Sequence, residues 1–145
     1  MFQKILIPTD GSKLSQEAML RGVDFARFIH ARVILFTASP IARVQEFERS
    51  VATDPNESDA ARGGRIIQER LNPTLDYARQ QGVEASVAHA FSDQPFQAII
   101  DEVRAKDCDL VFMASHGRRG IAGLLLGSET QKVLLHSKVP VLVFR

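Results

Sequence analysis

Apolar positions along the chain fall into five short runs and four stripes at helical spacing. Lys4 to Pro8 (KILIP) is nearly continuous and carries β-branched Ile5 and Ile7, which predicts a central strand buried on both faces. Thr9-Asp10-Gly11-Ser12 breaks it. Leu14, Ala18, Phe25, Ala26 and Ile29 then recur every three or four residues, predicting a helix over Lys13 to His30 with Ser12 or Ser15 as its cap. Arg32 to Ala38 (RVILFTA) predicts a second buried strand, stopped by Pro40. Arg65 to Gln81 is helical through Ile66, Leu71, Leu75 and Ala78, with a kink or a restart behind Asn72 at Pro73. Val83 to Phe91 alternates, as a half-buried edge strand does.

Asp93 is expected to cap the next helix, with Pro95 in its first turn and Phe96, Ile99, Ile100 and Val103 as its inward stripe. Asp109 to Ala114 reads as the fourth strand. Gly127 or Ser128 opens a last helix whose Val133, Leu134 and Leu135 face inward, and Val139 to Phe144 (VPVLVF) is the fifth strand. Strands alternating with helices imply an open α/β sheet, mostly parallel. Between Ile41 and Gly64 lies a long polar connection with Asp54-Pro55-Asn56, Gly63-Gly64 and an apolar patch near Val44 and Phe47. Such a length reads equally as a functional flap and as a solvated insertion with a partial helix.

Composition narrows the function. One domain over residues 1–145 is expected, and a chain of this size buries about 68–70% of its unfolded surface. With 45% apolar and 24% charged residues it has the make-up of a soluble globular protein. A net charge of +1 argues against nucleic-acid or polybasic membrane partners. The lone cysteine, Cys108, excludes an intramolecular disulfide, suits a reducing cytosol and reads as a small buried residue. The start, MFQKILIPTDGS, reaches acidic and turn residues too soon for a signal peptide, and no apolar run approaches the roughly 20 residues of a membrane span. A cytoplasmic location is expected.

The chemistry concentrates in two loops. Val111 to Ser137 joins a buried strand, a turn carrying Gly117, Gly120 and Gly123, and Gly127-Ser128-Glu129-Thr130 at a helix start. Glycines let a backbone approach an oxyanion, and a helix N-terminus offers free N–H groups and a positive dipole end. Ser128 to Gln131 also matches a capping box, so Ser128 reads as a cap or as a phosphate ligand. Glu129 would repel a polyphosphate and is expected to face solvent or a metal. Arg118 and Arg119 can reach phosphate oxygens or be solvated, and His116 reads more as a turn residue than as a base. In the other loop, Asp10 at the end of the first strand suits a ribose hydroxyl or a divalent ion, or an Asx turn. Thr9 carries the same ambiguity. If the first and fourth strands are neighbours where the strand order reverses, both loops border one crevice, with Phe36-Thr37-Ala38 as a wall. No nucleophile elbow, HExxH or Walker-type lysine is present.

At these residues the chain resembles the universal stress protein family, through KILIPTDGS, VILFTAS and MASHGRRGIAGLLLGSETQKVLLHSKVPVLVF. The ATP-binding branch of that family carries G-x2-G-x9-G-[S/T]. That pattern falls here on Ala114, Gly117, Gly127 and Ser128, with Ala114 departing from the first glycine. The resemblance implies a five-stranded parallel sheet ordered 3-2-1-4-5 with helices on both faces, an adenine nucleotide alpha hydrolase-like fold. By matching position, Pro8, Thr9, Asp10 and Thr37 would surround adenine and ribose. Met113, Ala114, Ser115 and Gly117 would follow ribose and phosphates, and Gly127, Ser128, Glu129 and Thr130 would hold the phosphates. Magnesium or manganese, with Asp10 as a ligand, would accompany ATP, and two copies would pair through Val139 to Phe144, removing an exposed apolar edge.

Three functions are in view. The first is a nucleotide-dependent regulatory stress protein in which ATP orders the Ile41 to Gly64 region. The second is a slow ATPase or phosphoryl-transfer enzyme. The third is a family member that binds no nucleotide and acts through its dimer surface.

Overall fold

Strands β1 (Lys4–Pro8), β2 (Arg32–Ser39), β3 (Ala85–Phe91), β4 (Leu110–Ala114) and β5 (Val141–Phe144) form one parallel sheet in the order β3-β2-β1-β4-β5. A computed structural model describes residues 1–41, 59–117 and 126–145. Val44, Phe47, Asp54-Pro55-Asn56, Arg118, Arg119, Gly120 and Gly123 lie outside the described residues. Among the described residues four helices connect the strands: α1 (Lys13–Ile29), α2 (Asp59–Gln80), α3 (Pro95–Ala105) and α4 (Ser128–His136). Among the described residues no helix is long and apolar enough to cross a membrane.

Continuous apolar runs belong to strands covered on both sides. Ile5, Leu6 and Ile7 are fully buried. Ile5 and Ile7 join Val33 and Leu35 in a core with α1 and α2, while Leu6 joins Ile34 and Phe36 in a second core with α3 and α4. At the amino edge the Asp109 carboxylate accepts from the N–H groups of Gln3 (2.7 Å) and Lys4 (3.0 Å), clasping β1 to the start of β4. Gly22 lets α1 lie close on the sheet, since a Cβ there would run into the Ile7 side chain.

Local signals and observed elements part at several places. Helix α2 starts at Asp59, before the expected Arg65, and continues through Pro73 without a restart at Asn72. Residues 59–64 of the expected polar connection are therefore helical. Gly63 and Gly64 do not break the helix because they seat it against β3. A Cβ on Gly63 would stand 2.6 Å from the Phe91 ring, and one on Gly64 would stand 2.9 Å from the His89 ring. Strand β3 begins at Ala85 and not Val83, because the Val83 N–H is used to close α2 on the Ala78 carbonyl (2.9 Å).

Gln94, not Asp93, is the N-cap of α3, and the Asp93 carboxylate accepts instead from the Ile41 N–H (3.2 Å). In α4 only Thr130 and Val133 are buried. Leu134 and Leu135, expected inward, are 40% and 79% exposed, since Thr130 and Val133 set the inward face and the turn of the helix carries Leu134 to its border and Leu135 to the far side. Strand β5 begins at Val141, with the Pro140 carbonyl already accepting from the Val111 N–H (3.0 Å).

Cys108 is 5% exposed in the second core. Burial pushes its thiol from 9.0 up to about 11; the neighbouring Lys4 ammonium lowers it, and the carboxylates of Asp109, Glu102 and Asp107 raise it further. The folded state thus holds the thiol proton more tightly than the unfolded chain. The stability this contributes is fully present below pH 9.0 and is lost as pH rises towards about 11. Native protein at pH 8 should leave a thiol reagent such as dithionitrobenzoate unreacted, with one equivalent consumed on unfolding. Urea titrations should show a steeper alkaline loss of stability in the unaltered chain than in Cys108→Ala.

Candidate functional site at the strand-order reversal

From β1 the chain turns to β2 and β3 on one side of the sheet, while β4 and β5 fill the other. The connections leaving β1 and β4 run to α1 and α4, which pack on opposite faces. In open α/β sheets the place for a ligand crevice is between them, at the carboxyl ends of the two central strands.

The turn after β1 is built from hydroxyls. The Thr9 N–H donates to the Phe36 carbonyl (2.8 Å), extending the ladder past Pro8. The Thr9 hydroxyl shares a hydrogen bond with that of Ser15 (2.9 Å) and accepts from the Gly11 N–H (3.1 Å). From β2 the Thr37 hydroxyl donates to the Thr9 carbonyl (3.0 Å). Gly11 has φ 77°, a left-handed conformation that suits glycine. Asp10 is exposed, and its Oδ1 accepts from the Ser12 N–H (2.9 Å), which is the Asx turn. Ser12, one of the two expected caps, is the N-cap of α1; its Oγ accepts from the Ser15 N–H at 3.3 Å.

The loop after β4 is pinned at both ends. The Ser115 N–H donates to the Phe144 carbonyl, and the Ser115 carbonyl accepts from the Gly127 N–H, both at 2.7 Å. The Thr130 hydroxyl donates to the Ala114 carbonyl (3.1 Å) from a buried position. Ser115 is buried, with its hydroxyl 3.1 Å from Nδ1 of His116. Two glycines set the closeness of the walls. A Cβ on Gly127 would stand 3.1 Å from the Cα of His116, and one on Gly117 would run into the Asp10 carboxylate. Asp10 and Gly117 therefore meet across the crevice, which brings the two loops together.

Not every expected site side chain faces this space. Pro8, Thr9, Asp10, Thr37, Ala114, Ser115, Gly117, Gly127 and Ser128 stand at the carboxyl ends of β1, β2 and β4 or at the start of α4. The Met113 side chain lies in the α3–α4 core, and the Thr130 hydroxyl is committed to Ala114. The capping box over Ser128 to Gln131 does not form. Gly127 is the N-cap and has no side chain to offer, while the Gln131 amide donates to the Leu126 carbonyl (3.0 Å).

The Glu129 side chain, expected in solvent or on a metal, is held by α3. Its Oε2 accepts from the Phe96 N–H (2.9 Å) and its Oε1 pairs with Lys132 (2.9 Å). The reason lies in α3, which has no side-chain cap from Gln94 and takes Pro, without an N–H, as its first residue. Ser15 was legible only as a possible cap; it also supports Thr9, and the three-residue spacing of Ser12 and Ser15 was the available signal. Among the described residues no group of three or more His, Cys, Asp or Glu could hold a metal.

A groove of about 480 Å³ lies at the opposite edge, lined by Arg27, His30, Arg32, Gln81 and Glu84 among others. It borders the C-terminal ends of α1 and α2, whose carbonyl dipoles disfavour anions.

The doubly wound five-stranded sheet, with a crevice where its strand order reverses, defines an adenine nucleotide alpha hydrolase-like fold. Solved structures share it. One, of the protein MJ0577, superposes with a TM-score of 0.73 at 23% identity, over 99% of this chain and 95% of that one. Another is a universal stress protein in complex with cAMP, with a TM-score of 0.69 and 25% identity, over 99% of this chain and 97% of that one. The chain belongs to the universal stress protein family, whose sequence profile matches residues 1–145. A named relative is the universal stress protein MJ0531 of Methanocaldococcus jannaschii, 29% identical over 145 residues that span 100% of this chain and 83% of the relative.

Thr130 ties α4 to the end of β4 from inside the fold. Thr130→Val keeps the shape and removes the donor, so chemical denaturation should show a loss of about 1 kcal/mol. Thr130→Ser should retain most of that stability.

Proposed function

We propose that this chain binds ATP, with Mg2+ or Mn2+, in the crevice between β1 and β4, and acts as a nucleotide-dependent regulatory protein of the stress response. The observation that carries the reading is the pair of close approaches at Gly117 and Gly127, positions where a side chain would strike the Asp10 carboxylate or the His116 backbone. They sit beside the N-terminus of α4, where the N-cap offers no side chain. Backbone drawn this close, next to the N–H groups of a first helical turn, is what an oxyanion requires.

In this reading Pro8, Thr9, Asp10 and Thr37 border adenine and ribose. Met113, Ala114, Ser115 and Gly117 follow ribose and phosphates with their backbone. The N–H groups of Gly127, Ser128, Glu129 and Thr130 receive the phosphates. The Ala114 methyl packs in the core beneath α1, so this departure from the glycine pattern takes little room from the crevice. Asp10 supplies one carboxylate to the metal, and phosphate oxygens and water supply the rest. The relative in complex with cAMP shows an adenine nucleotide bound on a related chain. A lone buried thiol suits a cytoplasmic setting.

The nucleotide reading is tested on purified protein. Supernatant from denatured protein should contain ATP; ADP in its place would support hydrolysis. Mg-ATP at 100 times its dissociation constant should add roughly 2.7 kcal/mol of stability. Gly117→Val, at an exposed position, should keep the fold and abolish that gain. Gly127→Val is a poorer probe because it presses on the His116 backbone. No nucleotide and no thermal shift would leave the reading without support.

We further propose that two copies pair through β5. The strand ends the sheet, and its four residues are only half-buried. Pro140 and Phe144 turn their carbonyls to β4, so the alternation of a strand turns the N–H and C=O groups of Val141 and Val143 to the open edge. Val143→Pro removes one outward donor and spares the ladder to β4. It should sediment as a monomer with unchanged circular dichroism; a persistent dimer would place the interface elsewhere.

A further inference from the structure

We infer that Glu129 is a positioning residue for the phosphate site, holding the N-terminus of α4 open to an anion by lending its own carboxylate to α3. This rests on the nucleotide reading above. Both helices begin at the carboxyl edge of the sheet, where β3 and β4 end. Each would favour an anion at its first turn. Within the two first turns the one acidic residue is Glu129, in α4. Its side chain nevertheless crosses to α3, where Oε2 accepts from the Phe96 N–H at 2.9 Å.

Three further contacts hold the arrangement. Lys132, one helical turn on, pairs with Oε1 at 2.9 Å and offsets the charge. The same ammonium stands 5.3 Å from the centre of the Phe96 ring. A further contact to that ring comes from His136, centroids 5.5 Å apart. Glu129 is thereby kept from folding back to cap its own helix, where it would occupy the N–H groups that the phosphates need and repel the incoming charge. While it is clamped, the Lys132 ammonium offsets its charge, whereas a shorter or freed carboxylate would compete with an anion.

Side-chain length separates this role from plain scaffolding. Glu129→Asp keeps the charge but is too short to reach α3. Glu129→Gln keeps the reach and an acceptor for the Phe96 N–H. Affinities of both variants and the unaltered protein for Mg-ATP and for adenosine are measured by calorimetry, alongside hydrogen exchange at the Phe96 amide. Glu129→Asp should weaken Mg-ATP about fivefold, the effect of roughly 1 kcal/mol from a like charge at a helix N-terminus, leave adenosine binding unchanged and lose protection at Phe96. Glu129→Gln should bind Mg-ATP at least as well as the unaltered protein and keep that protection. The proposal is overturned if Glu129→Asp binds Mg-ATP like the unaltered protein, or if adenosine weakens in parallel, which a general loosening would cause. If the unaltered protein binds neither compound, the nucleotide reading itself fails and this inference falls with it. Binding by the unaltered protein with no difference among variants sinks the inference alone.

Discussion

One backbone hydrogen bond closes the loop that leaves β4: the Gly127 N–H donates to the Ser115 carbonyl at 2.7 Å. Everything at the carboxyl edge is referred to it. The same Ser115 is tied to β5 through its own N–H, and the residue that follows Gly127 begins α4. A single residue therefore locates strand, loop and helix relative to one another. Gly127 suits the bond because it has no side chain, since a Cβ would press on the His116 backbone. Its φ of −68° is open to any residue, so the requirement is one of space and not of backbone strain.

The polar side chains around the crevice are largely occupied in holding it. Thr9 and Ser15 satisfy each other, Thr37 supports the Thr9 carbonyl, Thr130 anchors Ala114 and Glu129 serves α3. Buried hydroxyls need such partners, because an unpaired one costs more than the bond returns. The groups left to meet a ligand are mainly backbone, around glycines and at a helix start. Such a site is indifferent to much side-chain substitution and sensitive to anything that moves its frame.

The sheet was legible because both-sided burial writes itself as unbroken apolar runs, as in Ile5-Leu6-Ile7 and Val33 to Phe36. The position of the crevice followed from which strands end in Thr9-Asp10 and Ser115-His116-Gly117. What escaped were features decided by distant partners. Gly63-Gly64 looks like a break in the chain, and only contact with Phe91 and His89 shows it as a seat for α2. Asp93 and Ser128 carry good capping side chains, yet Gln94 and Gly127 are the caps. Leu134 and Leu135 are apolar, yet the face of α4 that packs inward is set by Thr130 and Val133. In each case local propensity was sound and tertiary packing outweighed it.

The clamp between α4 and α3 also bears on the order in which the molecule is made. The Phe96 amide finds its acceptor 33 residues downstream. On the ribosome, the start of α3 emerges well before Glu129, so its first turn must wait, frayed, for later sequence to arrive. A nascent chain that stops short of α4 therefore carries the first turn of α3 without the acceptor that the complete chain gives its Phe96 amide.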